Sequence, residues 1–122
     1  MKNHILIIDD DKEILELFND ILTYAGYRVT ILPEIVNIKA TIDAFNPDLV
    51  IIDYLLPGIN GGEMCAQIKS DQETLHIPII LTSAHSRVLL SLGTYNCDEF
   101  LEKPFDISHL NDRISYHLNK VT

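Results

Sequence analysis

A chain of 122 residues is about one domain long, and its 47% hydrophobic content is enough for a core that a disordered chain could not build. Eighteen acidic residues against nine basic ones give a formal net charge of −9. Such a surface repels phosphate backbones and anionic lipid, which argues against direct binding of nucleic acid or membrane. Cys65 and Cys97 have neither CxxC spacing nor the company that a disulfide framework needs, so they read as reduced thiols of a reducing compartment. Met1-Lys2-Asn3-His4 leads into only four apolar residues, too few for a signal-peptide core, and no run approaches the ~18 apolar residues of a membrane span. A cytoplasmic location is expected.

Ile5-Leu6-Ile7-Ile8 is short, rich in β-branched residues and ends in acids, as a buried strand would. Ile14, Leu15, Phe18, Ile21, Leu22 and Ala25 then recur at helical spacing up to Gly26, a natural C-terminal cap. Arg28 to Leu32 is a second strand candidate. Ile35, Ile38, Ile42 and Phe45 mark one face of a second helix, closed by Asn46-Pro47. Leu49-Val50-Ile51-Ile52 is a fully apolar strand ending at Asp53. Pro57-Gly58 and Gly61-Gly62 read as breaks before a short helix whose Met64, Cys65 and Ile68 belong to the core. Pro78 opens a strand through Ile79, Ile80 and Leu81. A short helix is expected near Arg87 to Leu92, a strand near Glu99 to Glu102, and a last helix on Ile107, Leu110, Ile114 and Leu118. Five βα units with strands apolar on both faces predict an α/β fold, a three-layer (βα)5 sandwich with a parallel five-stranded sheet. The flavodoxin-like strand order 2-1-3-4-5 is expected, with ligands outside the carboxyl ends of strands 1 and 3.

At those carboxyl ends stand Asp9-Asp10-Asp11, Asp53, Thr82-Ser83-Ala84 and Lys103-Pro104. Two carboxylates roughly 5 Å apart repel by about 3 kcal/mol at an effective dielectric of ~20, so a cluster of them calls for a cation. A hard divalent ion with oxygen ligands, Mg²⁺ above all, suits the donor set, and it commonly keeps phosphate oxygens among its ligands. Phosphoryl transfer then gives each group a role. Asp53, alone at the end of a buried strand, is the nucleophile that becomes an acyl phosphate, Lys103 supplies the point charge and Ser83 a hydroxyl, with Thr82 its competitor. A cis Lys103–Pro104 bond would aim the ammonium inward.

Ile5 to Asp11, Asp53 with Pro57 and Gly61 after it, Ser83-Ala84 and Lys103-Pro104-Phe105 together resemble the response-regulator receiver family, in order and approximate spacing over essentially the whole chain. The resemblance implies that Asp53 accepts phosphate from a histidine kinase or a histidine phosphotransfer protein and acts as a conformational switch. It implies Mg²⁺ bound directly by Asp10, Asp53 and the backbone carbonyl of Leu55, with Asp9 acting mainly through water and Asp11 peripheral. It places the switch hydroxyl on Ser83, five residues after Pro78, and the switch aromatic on Phe100. Leu56, Phe100 and Asn96 stand where the family more often has methionine, tyrosine and glycine, and the stretch between Ser83 and Phe100 is about two residues short. His85 and Leu55 fall at positions that influence acyl-phosphate lifetime; an apolar Leu55 should obstruct the hydrolytic water and prolong the phosphorylated state. A downstream protein target or output domain is implied, and a phosphorylation-dependent dimer is allowed. Residues 1–122 are expected to form one receiver domain, with no output domain in this stretch.

Plainer readings compete. Asp9 and Asp10 could only begin a helix, Asp53 could be a turn residue, Ser83 a capping hydroxyl and Lys103 a solvated charge. The histidines show no close metal spacing, and surface or partly buried roles are their default. Among rival functions, a phosphoaspartate hydrolase of the haloacid-dehalogenase type would want a second Asp where this chain has Leu55. A flavodoxin-like FMN protein would want a Ser/Thr/Gly-rich loop after the first strand, where acids stand instead. An interaction-only receiver would not need Asp9, Asp10, Asp53, Ser83 and Lys103 together.

Overall fold

The computed structural model describes residues 3–84 and 97–119. Three of its strands, β1 (His4–Ile8), β3 (Leu49–Asp53) and β4 (Ile79–Ser83), are buried at every position. Strands of that kind must lie inside a sheet covered on both faces. β2 (Arg28–Leu32) and β5 (Glu99–Glu102) are more open and form the two edges. All pairings are parallel and the order is β2-β1-β3-β4-β5, the flavodoxin-like arrangement expected from the sequence.

Alternation along the strands divides the core in two. Leu6, Ile8, Val50, Ile52, Ile79 and Leu81 face one way and pack against α2 (Ile38–Phe45) and α3 (Gly61–Lys69). Ile5, Ile7, Leu49, Ile51, Ile80 and Leu101 face the other and pack against α1 (Lys12–Tyr24) and α4 (Ile107–Leu118). Each buried Ile or Leu adds roughly 1.5–3 kcal/mol of apolar burial, so the sandwich rests on these two clusters. The helix expected near Arg87 to Leu92 lies outside the described residues.

Every described helix starts on an Asx side chain that accepts backbone N–H groups: Asp11 for α1, Asn37 for α2, Asn60 for α3 and Asp106 for α4. This corrects two boundaries. Ile35 precedes the Asn37 cap, so it packs on the core from a loop and not from α2. Gly61 and Gly62 do not break the chain; they form the first turn of α3. The last helix does begin at Ile107 as expected; Ile107 itself is exposed, and the buried face of α4 is Leu110, Ile114 and His117. As expected, α1 ends before Gly26, which adopts a positive φ of 100°.

Candidate functional site

A parallel sheet brings all its strand carboxyl ends to one edge, and here that edge carries the acids. Asp9 follows β1 and is almost fully enclosed at 1% exposure, while Asp10 beside it is open to solvent. Asp11 is the α1 cap, accepting from the N–H groups of Glu13 and Ile14 at 3.0 and 3.3 Å. The capping role thus falls on Asp11, which leaves Asp9 and Asp10 available for the site. Asp53 closes β3 with 7% exposure. Carboxylate oxygens of Asp9, Asp10 and Asp53 all lie within 4.8 Å of one another.

Lys103 answers this charge from across the sheet. Its peptide bond to Pro104 is cis, and its ammonium donates to Asp9 Oδ2 at 2.7 Å and to Asp53 Oδ1 at 3.2 Å. The other Asp9 oxygen accepts the Asp11 N–H at 3.0 Å. Burial, followed by the charge of Asp9, outweighs Lys103 and pushes the Asp53 carboxyl up to about 6. Burial also works against the Lys103 ammonium, but its hydrogen bond to Asp9 and the charges of Asp53 and Asp9 prevail and hold its pKa above the usual lysine value. Three acids with one lysine remain under-neutralised. Hard oxygen donors converging on a site short of positive charge fit a divalent cation such as Mg²⁺.

The two candidate hydroxyls are set apart by strand alternation. Thr82 shares the parity of Ile80, and its hydroxyl donates to the Ile52 carbonyl at 3.5 Å. Ser83 is buried, and shares the parity of Ile79 and Leu81 on the α2/α3 side. Phe100 pairs in register with Leu81 and packs on that same side, so Ser83 and Phe100 face one layer. Leu55, two positions past Asp53, is 56% exposed. His85 and Asn96 lie outside the described residues.

Gly61 was expected only as part of a motif, and its physical reason is close approach. A Cβ there would stand 2.2 Å from the carbonyl oxygen of Asp53 and 2.9 Å from Ile52 Cγ2. The Gly61 N–H donates to the Tyr54 carbonyl at 2.9 Å, so α3 begins pressed against the backbone that carries Asp53.

The sequence reading missed two groupings. Glu99 at the start of β5 accepts from Arg113 Nε at 2.8 and 2.6 Å and lies 2.7 Å from His117 Nε2. Burial alone would raise the Glu99 carboxyl, but the hydrogen bonds from Arg113 and His117 bring it below its ordinary value. His117 and His4 are both buried and hydrogen-bonded, a firmer placement than the default for histidine. The spacing of His117 from Leu110 and Ile114 was the available signal. The second grouping is Cys65 with Cys97, which hydrogen-bond to each other although no local motif joins them.

With this geometry in place, comparison with known proteins is decisive. The profile of the response regulator receiver domain matches residues 5–115. The chain belongs to that family. A receiver is a phosphoacceptor signalling domain of two-component systems, which work with histidine kinases. The chain is 31% identical over 112 residues to RpaA of Synechocystis sp., a DNA-binding dual master transcriptional regulator, a match covering 90% of this chain and 46% of RpaA. The response regulator TrrA of Thermotoga maritima, solved in complex with Mg²⁺ and BeF, is similar with a TM-score of 0.80 and 30% identity, covering 96% of this chain and 99% of that one. The BeF3-activated N-terminal receiver domain of Klebsiella pneumoniae RstA is similar with a TM-score of 0.84 and 26% identity, covering 97% and 100%. This receiver spans about half the length of the curated relatives it matches. Among its described residues, no helix is long and apolar enough to cross a membrane.

Proposed function

We propose that Asp53 is the phosphoacceptor of this receiver, and that residues 1–122 form one phosphorylation-controlled switch. The observation that carries this reading is the convergence of Asp9, Asp10 and Asp53 within 4.8 Å, with Lys103 bonded to both Asp9 and Asp53. A carboxylate oxygen of Asp53 attacks the phosphorus of a phosphohistidine on a histidine kinase or phosphotransfer protein. The P–O bond forms, the P–N bond breaks, and the imidazole leaves with the electron pair. Asp10, Asp53 and the Leu55 carbonyl would hold Mg²⁺ directly, and Asp9 would support it through water. The ion, when bound, offsets the charge of the acids and of the transferring oxygens. Lys103 holds Asp53 in place and meets the incoming charge, and Ser83 donates its hydroxyl to the new phosphoryl oxygens. The same groups catalyse the later attack of water, so the domain performs its own phosphorylation and dephosphorylation and acts on no separate substrate.

Ser83 and Phe100 share a layer, which supports them as the coupled switch pair: the hydroxyl moves toward the phosphoryl group and the ring follows into the space beside it. Phosphorylation then acts through a protein target or an output domain, in keeping with relatives about twice this length that bind DNA. The acidic surface keeps the receiver itself off nucleic acid and membrane, suits a cytoplasmic setting, and leaves a phosphorylation-dependent dimer open to the activated form.

Beryllofluoride tests the site without turnover, since it binds a carboxylate as a tetrahedral phosphoryl mimic. With Mg²⁺ present it should raise the thermal midpoint of the native chain by several degrees and leave Asp53→Asn unmoved. An equal shift in both proteins would place the ligand elsewhere and overturn the assignment.

A further inference from the structure

Cys65 lies on the buried face of α3, fully enclosed in the cluster between α2, α3 and the sheet. Cys97 stands just before β5 and packs, partly exposed, against that same cluster. Both are reduced thiols, and they hydrogen-bond to each other across the layer. The contact is asymmetric. Donating its hydrogen to Cys97 and being buried both hold the Cys65 thiol up, whereas receiving that hydrogen bond lowers the Cys97 thiol despite burial. Lys69 occupies the same corner, bonded to the Leu75 and Ile77 carbonyls and paired with Asp98 at 2.6 Å. A partly exposed thiol in contact with an enclosed one is the arrangement of an attacking and a resolving cysteine.

We propose that Cys65 and Cys97 form a reversible intramolecular disulfide, by exchange with a low-molecular-weight disulfide, that ties α3 to the entry of β5. In the first step the Cys97 thiolate attacks one sulfur of the small disulfide; a mixed disulfide forms and one small thiolate leaves. That thiolate takes the Cys65 proton. Cys65 sulfur then attacks Cys97 Sγ, the mixed disulfide breaks, and the second small thiolate leaves and is protonated by solvent. Two protein thiols are oxidised and one small disulfide is reduced to two thiols, so atoms and electrons balance. The link is independent of the phosphoacceptor reading, although Phe100 lies only three positions beyond Cys97 in the same layer.

The full chain, reduced and then incubated with oxidised glutathione, should lose two hydrogens in intact mass with no glutathione retained. Neither cysteine should then react with a maleimide until dithiothreitol is added. Cys65→Ala, having no resolving thiol, should stop at one glutathione adduct, and Cys97→Ser should remain unmodified while folded. The oxidised native chain should unfold about 5 °C higher, because a link closing a loop of this size restricts the unfolded chain. A stable adduct on the native chain, a disulfide-linked dimer, no reaction in the folded protein, or a midpoint that fails to rise would each overturn the proposal.

Discussion

Asp53 holds its proton to about pH 6 because burial and the Asp9 charge outweigh Lys103. Only the deprotonated carboxylate can bind a cation or attack phosphorus, so the raised pKa sets a direction. Well below pH 6 each further unit of acidity should weaken Mg²⁺ about tenfold, because a proton must leave before the ion binds. Calorimetric titration should therefore find about fivefold weaker binding at pH 5 than at pH 6, levelling off above pH 7; an affinity flat across that range would contradict the placement of Asp53 in the ion's site. Leu55 acts at the same scale. Its side chain is more than half exposed two positions beyond Asp53, and on the proposed phosphoacceptor reading an apolar group there would screen the acyl phosphate from water. Leu55→Asn should shorten the acyl-phosphate lifetime several-fold when decay is followed by mass or phosphate release. An unchanged or slower decay would remove Leu55 from that role.

Among the elements, α3 shows why a local reading of residues can be right about identity and wrong about role. Gly61-Gly62 reads as a break because glycine is a poor helix former. The structure uses Gly61 inside the helix, where the Asp53 carbonyl leaves no room for a side chain. Gly61→Ala must push α3 and the end of β3 apart, which should cost about 1–3 kcal/mol in denaturant unfolding and weaken Mg²⁺ binding in parallel. A variant of native stability and native affinity would show that the backbone yields without cost. The strands were legible because burial on both faces leaves nearly unbroken apolar runs, and the start of α2 was less so because Asn37, not the neighbouring Ile35, fixes where its turns begin. The site was legible for a topological reason: parallel strands deliver Asp9, Asp10, Asp53, Ser83 and Lys103 to one edge once the strand order is known. Glu99 with Arg113 and His117, and Cys65 with Cys97, were not, because each joins elements far apart in sequence and has no spacing of its own.

For the whole molecule, a −9 chain that takes up a phosphoryl group on Asp53 would gain charge at an edge already crowded with acids. On the proposed reading the response is a shift between two packings of one fold, read out where Phe100 and β5 meet the layer containing Ser83, with the signal passing to a partner or output domain. All of this depends on one covalent event. The chain should be incubated with Mg²⁺ and acetyl phosphate and its intact mass measured beside that of Asp53→Asn. The account predicts a single added phosphoryl group that requires Mg²⁺ and is absent from the variant. A phosphoryl adduct that persists in Asp53→Asn, or none on the folded native chain with any small phosphodonor, would contradict it.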